Sequence, residues 1–272
     1  MTKRNRFIAA VCLITAFLAA VPFAVNEKPK EIRYEIPAES IATPIKLAFL
    51  SDVHSSFYGR DMEEIAAPVE EFEPDAVIFG GDLFDEQWGE ENAMVLVKRL
   101  AAQFPCYYAL GNHEFRVNPQ RIKDNISALG VTVLDGKYAD ITKDGGKLRL
   151  IGIDGATHSD QLYEATVAVS DDAFNILLDH YPEEFPLLLG KGFDLILSGH
   201  AHGGQIRIPF ILNGLFAPGQ GLFPKYAGGE YEREDTRMIV SRGLARLSRD
   251  LVIPRVFNRP ETVFITIGGQ SL

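Results

Sequence analysis

The sequence predicts an α/β fold, and three observations carry the prediction. Five short apolar runs, 46–50, 75–79, 106–110, 174–178 and 194–198, are each bounded by turn residues. Runs of that length and character read as buried strands. Helical stretches alternate with them, the pattern of an α/β sheet. Shorter runs at 131–134, 138–142 and 148–153 surround the turn Asp144-Gly145-Gly146, which signals an added hairpin.

The elements follow in order. Residues 61–72 read as a helix closed by Pro74, and 92–103 as a second amphipathic helix. Residues 119–129 form a third, with Asn118 as its cap, Pro119 at the first helical position and Gly130 at its end. A short helix is expected at 183–191, and late strands at 238–241 and 262–267. Three prolines, Pro29, Pro37 and Pro44, among charges mark 26–44 as a linker with a first edge strand. Residues 45–272 are then the main domain.

The N-terminus has its own character. Residues 7–25 are almost all apolar and follow Lys3, Arg4 and Arg6, so 1–25 read as a signal anchor or transmembrane segment. Pro22 and Phe23 occupy positions where a cleavage site wants small residues, which favours retention over a secreted product. The positive flank places the N-terminus in the cytoplasm and the domain outside, on a single-pass cell-membrane protein.

Composition narrows the function classes. The 272 residues are 46% hydrophobic and 24% charged, an ordinary globular balance. The formal net charge of −10 argues against a nucleic-acid partner, which requires a basic face. The two cysteines, Cys12 and Cys106, lie in unrelated segments, so neither a disulfide framework nor a cysteine metal site is expected. No feature of the sequence speaks to an oligomeric state.

Five of the six histidines stand in short motifs with Asp, Asn and Gly, at the carboxyl ends of the apolar runs. In order these are Asp52-Val53-His54, Gly81-Asp82, Gly111-Asn112-His113-Glu114, His180 and Gly199-His200-Ala201-His202. Open α/β sheets build their sites at that end of their strands. Histidine nitrogen and carboxylate oxygen suit Mn, Fe and Zn alike. Asp52, His54, Asp82, Asn112, His180, His200 and His202 are too many ligands for one tetrahedral ion. They suit two divalent ions sharing a bridging carboxylate, an arrangement that stabilises displacement at phosphorus.

Taken together, these five motifs over 46–202 resemble the calcineurin-like metallophosphoesterase superfamily. The block Gly203-Gly204-Gln205-Ile206-Arg207, with Ser241-Arg242-Gly243 and Phe257-Asn258-Arg259-Pro260, is similar to the membrane-associated bacterial subgroup typified by YkuE and YaeI. The resemblance implies a two-sheet β-sandwich flanked by helices. It implies that Asp52, His54, Asp82 and His202 hold one metal and Asp82, Asn112, His180 and His200 the other, with Asp82 bridging. It further implies that His113 is a catalytic non-ligand that contacts the phosphate and helps the leaving group depart. The expected activity is hydrolysis of a phosphodiester or pyrophosphate, with a small-molecule or lipid-linked substrate. A broad phosphomonoesterase and a non-catalytic scaffold on the same fold are the competing readings.

Other residues have bland readings beside functional ones. His158 reads as a loop histidine. Asp85 reads either as a surface acid or as a group orienting a ligand histidine. Glu114 reads as support for a ligand or as the start of a solvated turn. Trp88 reads as packing under a loop or as lining a pocket mouth. The apolar stretch 210–224 reads as packing on the sheet, with a membrane-facing or acyl-facing lip as the competitor. Six arginines between Arg237 and Arg259, against one acid, Asp250, read as a solvated face or an anionic-lipid contact.

Overall fold

The computed structural model describes residue 5 and residues 24–87, 89–155, 158–246 and 254–269. Its strands and helices begin with β1 (Lys30–Ile36), β2 (Ile45–Leu50), α1 (Glu63–Phe72), β3 (Ala76–Phe79), α2 (Glu91–Ala101) and β4 (Cys106–Tyr108). Then come α3 (Asn112–Val117), α4 (Pro119–Ser127), β5 (Thr132–Val133), β6 (Tyr138–Lys143), β7 (Gly146–Ile153), α5 (His158–Val167) and β8 (Phe174–Asp179). The chain ends with α6 (Phe185–Leu188), β9 (Leu195–Ser198), β10 (Phe216–Ala217), β11 (Gly221–Leu222), β12 (Gly229–Arg233), β13 (Thr236–Val240) and β14 (Glu261–Ile267).

The strands form two six-stranded sheets and a small ribbon. One sheet has the order β1-β14-β2-β3-β4-β5 and the other β12-β13-β9-β8-β7-β6, while β10 pairs with β11. Alternation along each strand decides what goes where. In β2, Leu47 and Phe49 turn into the space between the sheets, where they meet Leu150, Ile176 and Leu197 of the second sheet. Ala48 and Leu50 turn the other way, onto Ile65 and Val69 of α1 and Leu96 and Leu100 of α2. The outer face of the second sheet is covered by Ala165 of α5 and by Phe185 and Leu188 of α6. The central strands β2, β3, β8 and β9 are largely apolar because both faces are covered, whereas the edge strands β1, β6 and β12 carry polar residues; each buried Leu, Ile or Phe contributes about 1.5–3 kcal/mol.

The third helix matches its sequence signals closely: Asn118 Oδ1 accepts from the Arg121 amide, and Pro119 opens α4. Three readings need correction. The helix expected from 61 begins at Glu63, because Asp61 and Met62 adopt left-handed backbone in a preceding 3-10 turn. The helix expected over 183–191 splits into a 3-10 turn, Pro182–Glu184, and the single turn α6. Pro182 and Pro186 each remove an amide donor from that segment. His158 opens α5 instead of lying in a loop.

The segment 26–44 contains β1, which pairs in parallel with β14 at the edge of the first sheet. Among the described residues no helix is long and apolar enough to cross a membrane. The expected anchor, 1–25, lies outside the described residues except at positions 5, 24 and 25, and Trp88 also lies outside them.

Candidate metal centre

Strands β2, β3 and β4 run parallel, as do β7, β8, β9 and β13, and their carboxyl ends bring the motifs to one end of the sandwich. The chain must turn abruptly there. Asp52, His54, Asp82, His200 and His202 all have positive φ, between 46° and 63°. Side chains rarely adopt that conformation, which costs on the order of 1–3 kcal/mol per residue and collects at functional sites. Glycine is required where loops touch. A Cβ on Gly111 would stand 2.2 Å from Asp82 Oδ1, and one on Gly199 would stand 2.0 Å from Ser51 Oγ.

The result is a buried cluster of donors. Three fully buried sets of side chains each place ligand atoms within 4.8 Å of one another: Asp52 with His54 and His202, His54 with Asp82 and His113, and Asp82 with His180 and His200, and a fourth, partly exposed, joins Asp85, Glu86 and His113. Asp82 belongs to two of the sets. Asn112 begins α3 beside them, one residue after Gly111. Five buried atoms here lack a hydrogen-bond partner: His54 Nε2, Asp82 Oδ2, Asn112 Oδ1, His180 Nε2 and His202 Nδ1.

Those orphaned atoms test whether a metal fits. A buried polar atom without a partner costs about 1–3 kcal/mol. Here the free atoms are ligand types and face one another; His180 Nε2 stands 3.1 Å from Asp82 Oδ2. The opposite ring nitrogens are engaged. His54 Nδ1 is 3.2 Å from Asp85 Oδ2, and His180 Nδ1 is 2.8 Å from the Gly80 carbonyl. A carboxylate or carbonyl on the far nitrogen is how a metal-ligating histidine is oriented. The donor set fits divalent cations bound by N and O.

Electrostatics agree. Burial opposes ionisation of Asp82, yet the positive charge of His180 and then His54 outweighs it and holds the carboxyl well below the usual range. Burial raises Asp52, and His180 only partly offsets that. Burial also works against charge on His180, but Asp82 and then Asp52 push it up to about 10. His200 is driven down to about 3 by burial and by the charge of His180. His202 is likewise lowered, by burial and then by His54. Two sequestered carboxylates therefore need a positive charge between them, and a bound cation supplies it without a proton.

The structure resolves several open readings. Asp85 is buried and bonded to His54, so it orients that ring. Glu114 is fully buried and accepts from the amides of Asp82, Phe84 and Gly111, tying two site loops together. His113 packs edge-on against His54 at 4.4 Å, and its Nδ1 lies 2.9 Å from Glu86 Oε2.

Sequence reasoning missed Ser51, Glu86, Tyr181 and Asn258. Ser51 Oγ donates to Asp52 Oδ2, and Tyr181 packs edge-on against His200 at 4.7 Å. Asn258 Nδ2 donates to the His202 carbonyl from 56 residues away. Ser51 and Tyr181 adjoin motif residues, which was a usable signal; Asn258 lies in the block Phe257-Asn258-Arg259-Pro260, which marked the resemblance but not the contact with His202.

The apolar stretch 210–224 divides. Ala217 is buried, and Leu215 donates its amide to Gly204 in the turn that carries His202. Phe210, Ile211, Phe216, Leu222 and Phe223 are exposed, so packing on the sheet does not account for them. The arginine run is not a solvated face. Arg242 and Arg255 are buried and donate to backbone carbonyls, while Arg246 pairs with Glu64 and Arg237 with Glu230. Arg259 donates to the carbonyls of Lys28 and Pro29. Arg249 lies outside the described residues.

Comparison with known proteins places this geometry. The calcineurin-like phosphoesterase family profile matches residues 45–204. The chain is 30% identical to the uncharacterized metallophosphoesterase YkuE of Bacillus subtilis, over 83% of this chain and 80% of that protein. It is 26% identical to the phosphodiesterase YaeI of Escherichia coli, over 91% of this chain and 94% of that one. Among solved structures, the NAD nucleotidase of Haemophilus influenzae shares the fold, with a TM-score of 0.55 at 17% identity. That likeness covers 76% of this chain and 46% of the nucleotidase.

Proposed function

Because this chain belongs to the calcineurin-like phosphoesterase family, we propose that it hydrolyses a phosphodiester or pyrophosphate bond at a two-metal centre, on a lipid-linked substrate. The observation that carries the reading is the position of Asp82, whose Oδ2 lies 3.1 Å from His180 Nε2 and 3.6 Å from His54 Nε2, one ligand of each proposed ion. Asp52, His54, Asp82 and His202 would hold one ion, and Asp82, Asn112, His180 and His200 the other. Bound ions would polarise the phosphoryl oxygens and make water acidic enough to attack near neutral pH.

The chain's own groups do the rest. Asp85 keeps the His54 ring turned so that Nε2 faces the centre. Ser51 and the His200 amide, both donating to Asp52, hold its two oxygens in place. His113, with Nδ1 beside Glu86, shares a donor set with His54 and Asp82 and is assigned here to neither ion. Its role is to contact the phosphate and hold a proton for the departing oxygen. The exposed Phe210, Ile211 and Phe216, tied to the His202 turn, support an acyl-bearing substrate at the mouth. The apolar segment 7–25 and its basic flank support a membrane anchor with the catalytic domain outside the cytoplasm.

Elemental analysis of the purified full chain, with turnover measured on a panel of phosphomonoesters, phosphodiesters and pyrophosphates, tests the reading. Two ions per chain and preference for a diester or pyrophosphate are expected. One ion, or preference for a monoester, overturns the two-metal or the substrate assignment respectively.

A further inference from the structure

The three C-terminal sequence blocks contribute only in part to the metal centre, yet each sends an arginine to one cavity. This cavity, of about 290 Å³, is lined by Lys30, Tyr34, Arg207, Arg242, Arg259 and Glu261. It lies where the two sheets leave their edge strands open. Lys30 pairs with Glu261 at the start of β1 and β14, and Gly229 pairs with Val240 at the end of β13. β14 runs antiparallel to β2, so this is the same end of the sandwich as the metal centre.

The charge balance is unusual for this protein. Four cations face one carboxylate in a chain whose net charge is −10. The carboxylate is already engaged: Glu261 is buried, accepts from the Arg242 amide and lies 3.8 Å from Arg242 Nε. Arg242 is spent on structure, donating to Asn213 and to the Gly228 carbonyl. Arg207 differs, because its Nε is buried and has no hydrogen-bond partner. Burial disfavours the charge on Arg242; Glu261 offsets that, and Arg207 adds like-charge repulsion. An anion seated here would be drawn by the four cations and would relieve the repulsion between Arg207 and Arg242.

We propose that this cavity is a second anion site, distinct from the metal centre, and that it binds the phosphate of an acidic phospholipid headgroup. The choice of a lipid rests on the anchor reading and on the apolar side chains around the cavity. The Phe257 amide donates to the carbonyl of Ala24, which lies at the end of the apolar run in the sequence, and Phe257 is another residue of the cavity wall. Phe257 is itself exposed, and Val256 pairs with Ile206 in the segment leading to the exposed Phe210 and Ile211. A headgroup in the cavity thus places its acyl chains among apolar side chains. The volume is at the lower end of the ~300–1,000 Å³ typical of small-molecule pockets, which suits a headgroup and not a whole lipid.

The test is calorimetric titration of the metal-loaded full chain in neutral detergent micelles. The probes are dihexanoyl phosphatidylglycerol, dihexanoyl phosphatidylcholine and inorganic phosphate. In Asp82→Asn protein, whose metal centre no longer competes for a phosphodiester, phosphatidylglycerol should still bind, and adding Arg207→Gln should weaken that binding about tenfold to a hundredfold, the effect of losing one charged donor. Lys30→Gln, on the exposed rim, should show the same direction and serves if Arg207→Gln fails to fold. Phosphatidylcholine should bind less tightly, because its own cation meets the basic wall. Binding unchanged in both charge variants, or lost only in Asp82→Asn, overturns the site. Inorganic phosphate bound as tightly as phosphatidylglycerol, with the same dependence on Arg207, supports the phosphate pocket and assigns it to a free anion. Cell fractionation judges the anchor separately: a chain that is soluble yet binds the headgroup keeps the pocket and loses the anchor.

Discussion

Glu114 offers the sharpest test of how the site is held together. Its carboxylate is fully buried and accepts three backbone amides, from Asp82 at 3.0 Å, Phe84 at 3.2 Å and Gly111 at 2.8 Å. Replacement by Ala leaves three buried donors with no acceptor, at about 1–3 kcal/mol each. Part of that is returned. Burial, and then the charge of Asp82, push Glu114 up to about 7, so removing it relieves a strained carboxylate. The net expectation is a loss of about 2–4 kcal/mol, a large share of the ~5–15 kcal/mol of a typical domain. Urea unfolding of the chelator-treated protein measures it, and the loss should persist without metal because it belongs to the backbone brace. Added Mn or Zn should recover part of the stability in wild type and less in Glu114→Ala, whose Asp82 loop is no longer positioned. A variant unfolding within 0.5 kcal/mol of wild type, as an order-of-magnitude threshold for a neutral surface change, would refute the reasoning.

Four further outcomes are expected. Asp82→Ala should lose turnover and bound metal from both donor sets, and retention of two ions per chain would contradict a shared carboxylate. His113→Asn should keep its metal while turnover falls ~100-fold to ~10,000-fold; loss of metal would make His113 a ligand. Cys106 is buried and its thiol is pushed up to about 12 by burial. At pH 8 it lies below that value and stays protonated, so iodoacetamide should label Cys12→Ser protein only after unfolding, and labelling of the native chain would count against the packing. Protease added to intact cells or protoplasts should reach the domain, and protection until lysis would place it on the cytoplasmic side.

The chemistry was legible early because it is local. Asp52-Val53-His54, Gly81-Asp82 and Gly199-His200-Ala201-His202 place donors at strand ends, the last two directly after glycine. A strand can stop that abruptly only if glycine or strained backbone follows. The strands were legible for a related reason: runs covered on both faces must be apolar, and both faces of β2 are covered. Helix boundaries were less so, since Pro182 and Pro186 divide what composition reads as one helix. Asp85 and Glu114 could be named but not assigned, because a short acid at a strand end looks the same whether it faces water or an imidazole.

Pairing across distance came only with the fold. Asn258 on His202, Glu86 on His113 and Arg242 on Asn213 join residues 27 to 56 positions apart, and nothing in the intervening sequence marks them. The arginines between Arg237 and Arg259 show the same limit: composition sees a basic run, while the fold spends Arg242 and Arg255 on buried carbonyls. The reverse holds for Phe210 and Ile211, apolar residues that the fold leaves in the open. Ligand type and strand character are properties of a few adjacent residues, so both could be read before any fold was known. Which polar atom meets which, and which apolar side chain is left uncovered, depends on how two sheets close on each other.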